Sequence, residues 1–174
     1  MSKYEYLLFD ADGTLYDFHY AEENAIQETW TAYNIPLNDT TLKCFHKHNS
    51  LCWKQLEEGK IGYDVLPRKR FELTFNELGY SHIDPQKFND DYLSNLSKHG
   101  KLFPQSLDVL KTLKSRGYRI FIVTNGIYSV QKHRFNQEET KGIYEKIFCS
   151  ESLHANKPDP KFFEAVFKEI GLAD

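Results

Sequence analysis

Two aspartates spaced two residues apart, Asp10 and Asp12, directly follow the apolar run Tyr6-Leu7-Leu8-Phe9 and precede Gly13-Thr14-Leu15. Large apolar residues closed by a turn signal predict a strand buried on both faces, of the kind found in parallel sheets covered by helices. Such a strand presents its function at its carboxyl end. In extended backbone Asp10 and Asp12 point the same way. Two ionised carboxylates so close repel each other, so either one keeps a proton at neutral pH or a cation lies between them. Both states are chemically useful, although Asp-x-Asp-Gly on its own also reads as a polar turn.

Two further stretches end in residues that could complete such a site. Ile120-Phe121-Ile122-Val123 runs into Thr124-Asn125-Gly126, a second buried strand ending in small polar residues. Asn156-Lys157-Pro158-Asp159-Pro160 follows a third short strand, Ile147-Phe148-Cys149-Ser150, and supplies an ammonium. A nucleophilic carboxylate, an acid/base carboxylate, a hydroxyl beside backbone N–H groups and an ammonium form a kit for phosphoryl transfer. In this reading Asp10 attacks phosphorus, while Thr124, Asn125 and Lys157 bind the phosphate oxygens. Asp12 protonates the departing oxygen and later takes a proton from the water that cleaves the aspartyl phosphate. A magnesium ion held by Asp10 and Asp12 would let Asp10 approach a phosphate dianion.

The elements that must position these residues follow from periodicity. After Tyr16 the pattern changes from strand to helix, and four helical segments precede Gly100. The first covers about Tyr20 to Asn34, with Ile26, Trp30 and Tyr33 on one face. The second, from about Thr40, places Leu42, Phe45, Asn49, Cys52, Trp53 and Leu56 at three-to-four spacing before Gly59. The third runs from about Pro67 through Phe71, Phe75 and Leu78 to Gly79; the fourth starts at Asp84-Pro85, an N-cap and first-turn proline, and carries Phe88, Tyr92 and Leu96 to Gly100.

These segments read as a small helical bundle inserted after the first strand. An insertion that leaves and rejoins a sheet at its carboxyl-end acids must hang over them, which makes a lid. His46 and His48, two residues apart, fall on different sides of their helix and cannot chelate together. Asn49, a polar residue within an apolar stripe, needs a partner, either inside the bundle or in the site.

Beyond Gly100 helix and strand alternate again. Leu107, Leu110 and Leu113 predict a short helix closed at Arg116-Gly117, about Ser129 to Phe135 another, and Asp159-Pro160 opens a last helix carrying Phe163, Val166, Phe167 and Ile170. The fold class expected is α/β, a Rossmann-like parallel sheet formed by residues 1–15 and 101–174 with a four-helix cap over residues 16–100.

A chain of 174 residues suits one domain carrying an insertion. Net charge is -3 with acids and bases interspersed, so there is no basic footprint for nucleic acid or an anionic membrane, and a small phosphorylated metabolite is the expected partner. Cys44, Cys52 and Cys149 are odd in number, lack CxxC spacing and fall inside predicted elements, which points to reduced core thiols. No apolar run approaches the ~18 residues of a membrane span, and the start has no signal-type apolar region. A cytoplasmic protein is expected.

Leu7-Leu8-Phe9-Asp10-Ala11-Asp12-Gly13-Thr14-Leu15, Ile122-Val123-Thr124-Asn125-Gly126 and Asn156-Lys157-Pro158-Asp159-Pro160 resemble the first three motifs of the haloacid dehalogenase-like phosphohydrolase superfamily. The resemblance spans nearly the whole chain. It implies a magnesium-dependent hydrolase with a helical cap. With Asn49 and Trp53, and Arg70-Phe71, it resembles most the pyrimidine 5′-nucleotidase branch that accepts non-canonical nucleotides, and Asn49 and Trp53 become candidate substrate residues. Trp53 could stack on a base and Asn49 hydrogen-bond its edge, or both could simply pack in the bundle.

An acid at Asp12 favours a phosphatase over a dehalogenase, which has no leaving alkoxide to protonate. Sugar-phosphate phosphatases and phosphomutases of the superfamily stay open. The superfamily's fourth motif, an acidic cluster on a later strand, has no counterpart before Asp174. A longer polypeptide is therefore expected; a fragment that binds phosphate without turnover is the alternative.

Overall fold

The computed structural model describes residues 4–172. Cα packing divides the chain into two compact units, one holding the residues up to Ala21 and from Ser97 onward, the other Glu22–Leu96.

The first unit is built on three strands, β1 (Tyr6–Phe9), β2 (Arg119–Thr124) and β3 (Lys146–Cys149). They form a parallel sheet in the order β1-β2-β3, with Leu8 opposite Phe121, Phe9 opposite Ile122, and Thr124 opposite Cys149. The register brings Phe9, Thr124 and Cys149 to one end of the sheet, so the residues that follow them share a carboxyl-end rim.

Alternation along β2 sorts the core into two clusters. Ile120 and Ile122 pack with Ala11, Leu15, Tyr16, Leu110 and Phe135 on one face, with Leu107 and Leu113 against them. Phe121 and Val123 pack with Phe148, Phe162 and Val166 on the other. The first face is therefore covered by α5 (Ser106–Ser115) and α6 (Tyr128–Phe135), the second by α8 (Pro160–Glu169), whose Asp159 cap accepts from the Lys161 N–H. A one-turn helix, α7 (Ser150–Leu153), follows β3 directly.

β1 departs from expectation in one respect. All four of its residues are half-buried, whereas β2 is buried from Ile120 to Thr124. The reason is position: β2 has a strand on each side, while among the described residues β1 pairs with β2 alone.

Between β1 and α5 the described residues are helical, without a strand: α1 (Phe18–Ala32), α2 (Asp39–Glu57), α3 (Leu66–Leu78) and α4 (Pro85–Lys98). The division between units passes through α1 and α4, whose outer ends belong to the sheet-bearing unit. Asn38 closes a capping box with Thr41 at the start of α2, and Asp84 caps α4 by accepting from the N–H groups of Gln86 and Lys87 at 2.8 and 3.2 Å. α4 stops at Lys98, short of Gly100.

The helical unit, Glu22–Leu96, is packed around aromatic rings. Trp30 lies 5.3 Å from Phe45 and 5.0 Å from Phe88, and Phe71 lies 5.4 Å from Phe45 and 5.5 Å from Tyr92, centroid to centroid. Each such ring, fully buried, contributes on the order of 1.5–3 kcal/mol. Cys52, Leu56 and Leu66 form a second cluster between α2 and α3, with Trp53 against it. His48 faces inward and bonds Glu77 on α3 at 2.8 Å, while His46 is exposed, so the two histidines point apart as their spacing requires. Cys44, Cys52 and Cys149 are buried free thiols. Among the described residues no helix is long and apolar enough to cross a membrane.

Candidate active site

Asp10 follows the last residue of β1, Thr124 ends β2, and Lys157 lies in the loop between α7 and α8. With Phe9 opposite Ile122, the parallel register brings the first two to the same end of the sheet, and the third joins them through its side chain. The Lys157 ammonium donates to Asp10 Oδ1 at 2.7 Å and to the Val123 carbonyl at 2.9 Å. The Ala11 N–H donates to the same Oδ1 at 2.8 Å. Both bonds fall on one oxygen, and Asp10 Oδ2 carries none among the described residues. The Asp10 side chain is 42% exposed, so the nucleophile expected from the sequence is open to a ligand.

Lys157 is held by Asn125. The Asn125 side chain donates to the Lys157 carbonyl at 2.9 Å and accepts from the Lys157 N–H at 2.8 Å, and its Oδ1 also accepts from the Ser150 hydroxyl. The Ser150 hydroxyl lies 3.2 Å from the Thr124 carbonyl as well. Expected as a phosphate ligand, Asn125 thus has its amide engaged in fixing the lysine loop to the end of β2. Thr124 is buried, and its hydroxyl accepts from the Gly126 N–H at 2.9 Å.

Asp12 is set differently. Its Oδ2 accepts from Gln131 Nε2 at 2.6 Å and its Oδ1 from Arg134 Nη1 at 2.6 Å. Gln131 and Arg134 are fully buried. They sit three residues apart on α6 and so share a face. Burial pushes the Asp12 carboxyl above its ordinary range, and the Arg134 guanidinium works against that shift. Cys149, the thiol at the same end of the sheet, is driven by burial up to about 12, which removes it as a competing nucleophile.

Sequence reasoning passed over Gln131, Arg134 and Ser150. The signal for the first two was present: polar side chains at an i, i+3 spacing beside Val130 and Phe135 in a helix that covers a sheet. Ser150 sits just past a strand, as Asp10 does.

Asn49 and Trp53 belong to the helical unit. Asn49 Oδ1 accepts from Arg70 Nη1 at 3.2 Å. Arg70, buried, also bonds Asn89 at 2.7 Å and lies 5.1 and 5.0 Å from the rings of Phe71 and Tyr92. Of the two partners open to Asn49, the structure provides the one within the bundle. Trp53 is half-buried.

Three strand ends, two carboxylates and a lysine on one rim match a known pattern: the family model for haloacid dehalogenase-like hydrolases covers residues 4–173. The chain belongs to this family. It is 31% identical over 170 residues to the HAD-hydrolase YfnB of Bacillus subtilis, covering 98% of this chain and 72% of YfnB. The crystal structure of YfnB, bound to magnesium, superimposes with a TM-score of 0.90 at 29% identity, covering 99% of this chain and 77% of that one. The pyrimidine 5′-nucleotidase PynA of Streptococcus pneumoniae is 30% identical over 167 residues, or 96% of this chain and 70% of PynA. Haloacetate dehalogenase H-2 of a Moraxella strain is 24% identical over 176 residues, which is 99% of this chain and 75% of that enzyme. The HAD-like hydrolase therefore has both nucleotidases and dehalogenases among its relatives.

Proposed function

We propose that this HAD-like hydrolase cleaves phosphate monoesters through an aspartyl phosphate on Asp10, with pyrimidine nucleoside 5′-monophosphates as substrates. The observation that carries the reading is the Lys157 ammonium 2.7 Å from Asp10 Oδ1 beside a second carboxylate, Asp12, that burial favours in its protonated form. Phosphoryl transfer needs a nucleophile, a cation for the phosphate oxygens and a proton donor for the leaving alkoxide. A dehalogenase has no use for the donor.

Asp10 Oδ2 attacks phosphorus as the ester P–O bond breaks, and the departing oxygen takes the proton from Asp12. The resulting Asp12 carboxylate accepts a proton from water, which attacks phosphorus and releases inorganic phosphate and Asp10. Lys157 neutralises the phosphate oxygens. Thr124 offers its hydroxyl to them, and Asn125 holds Lys157 in reach.

The Asp10 carboxylate, 42% exposed, would fit a magnesium ion through the oxygen that does not attack phosphorus, since the ion uses one or two carboxylates and completes its shell with phosphate and water. The Asp12 carboxylate, engaged through both oxygens, would have to release Gln131 or Arg134 to join it. Magnesium, when bound, screens the phosphate dianion from the charge of Asp10. The magnesium bound to YfnB supports this assignment.

The similarity to PynA supports nucleotides as the substrate class. The test is magnesium-dependent phosphate release by the full-length protein across nucleoside monophosphates, sugar phosphates and 2-haloacids. Preference for pyrimidine 5′-monophosphates is expected, weakened by Asn49→Ala and Trp53→Ala. A preference for sugar phosphates that survives both substitutions overturns the nucleotidase reading, and halide release without phosphate release overturns the phosphatase.

A further inference from the structure

We propose that Gln131 and Arg134 are positioning residues that clamp the Asp12 carboxyl at both oxygens, in the orientation from which it exchanges a proton with the leaving oxygen. The inference rests on the phosphatase reading above and adds residues to that site. An aspartate free to turn about its terminal torsion samples a broad range, whereas proton transfer demands placement within roughly 0.5 Å and 10–20°. With Arg134 on Oδ1 and Gln131 on Oδ2, each at 2.6 Å, that torsion is held.

The arrangement is an expensive one for stability alone. Arg134 has no exposed side-chain surface, and an ion pair buried to that degree is often matched or bettered by apolar residues of similar volume. Space is also reserved for it. A Cβ on Gly126 would come within 2.5 Å of Gln131 Nε2 and 3.1 Å of Asp12 Oδ2, and a Cβ on Gly100 within 2.8 Å of Arg134 Cγ. Neither glycine adopts a left-handed backbone, so what a side chain at either position would meet first is the clamp, and Gln131 or Arg134 would have to shift to admit it. Gly100 ends no helix; it makes room for Arg134.

The clamp does not block the chemistry. A carboxyl oxygen has two lone-pair sites, so Oδ2 can accept from Gln131 while carrying the proton that passes to the leaving oxygen as the P–O bond breaks.

The experiment compares two phosphate esters. An alkyl ester, the best substrate of the panel above, needs a proton on its leaving oxygen. 4-Nitrophenyl phosphate does not, because its phenolate leaves unassisted. For Gln131→Leu and Arg134→Met, kcat/KM on the alkyl ester is expected to fall about tenfold to a hundredfold, and on 4-nitrophenyl phosphate by no more than about threefold. In an Asp12→Asn background the same substitutions are expected to cost nothing further.

Equal losses on both esters, no loss on either, or a full further loss in the Asp12→Asn background overturns the clamp and leaves the phosphatase standing. Gln131→Leu keeps the Arg134 ion pair and decides the question even where Arg134→Met does not fold. Wild-type protein that cleaves neither ester overturns the phosphatase reading, and the clamp with it.

Discussion

Asp10 and Asp12 are separated by one alanine, yet their surroundings suit them to different tasks. Asp10 meets solvent and an ammonium; Asp12 is 25% exposed and is held by a guanidinium and an amide. Under the proposed function environment would divide the labour between two identical groups, as it does where paired carboxylates act as nucleophile and acid. Asp10→Asn is expected to abolish turnover while the circular dichroism spectrum stays that of the wild type. Asp12→Asn is expected to slow turnover by about 10²–10⁴-fold, the usual contribution of a general acid; residual activity in the Asp10 variant equal to that of Asp12→Asn would exclude the covalent route. The places of Asp10, Asp12 and Thr124 were legible because each lies at or just past the end of an apolar strand, and that of Lys157 because it precedes the Asp159-Pro160 helix start, signals that lie within a few residues. The engagement of Asn125 with the lysine loop was not, because an asparagine after a strand looks the same whether its amide faces a ligand or the main chain 32 residues away.

A helix can hold a core and also reach the candidate site. α6 does both: Val130 and Phe135 are buried, while Gln131 and Arg134 reach Asp12. In the helical unit the stripes predicted on four helices meet as one aromatic cluster, with Phe71 within 6.1 Å of Trp30, Phe45, Phe75, Phe88 and Tyr92. Phe71→Ala is therefore expected to destabilise this unit by about 3–5 kcal/mol, the cost of emptying a buried ring site. Chemical denaturation followed by tryptophan fluorescence of Trp30 would measure it. The starts of the helices that were predicted were readable to within about two residues, since caps and prolines are local; α7 was not predicted, and Ser150, expected to end a strand, opens that single turn instead. The place of Arg70 inside that apolar cluster was not, because its partners Asn49 and Asn89 lie on two other helices.

Across the molecule, the sheet sets the order of protection. β2 is flanked on both sides and β1 on one among the described residues, so in the 174-residue chain amide hydrogens of Tyr6–Phe9 are expected to exchange faster than those of Ile120–Val123; equal protection, read by mass spectrometry, would show β1 to be covered as well as β2. Strand and helix periods differ, 2 against 3.6, and this contrast alone separated a parallel α/β sheet from the helical stretch between its first two strands. It also put Asp10 and Thr124 at strand ends. The partners of those side chains are another matter. Asp12 meets Gln131 and Arg134 across 119 and 122 residues, and Lys157 meets Asp10 across 147. Such pairings depend on how helices settle on the faces of the sheet, a packing choice that no local period encodes. Residue types and strand order were therefore written in the chain, while the lock on the second carboxylate came from the folded sheet and the helix laid against it.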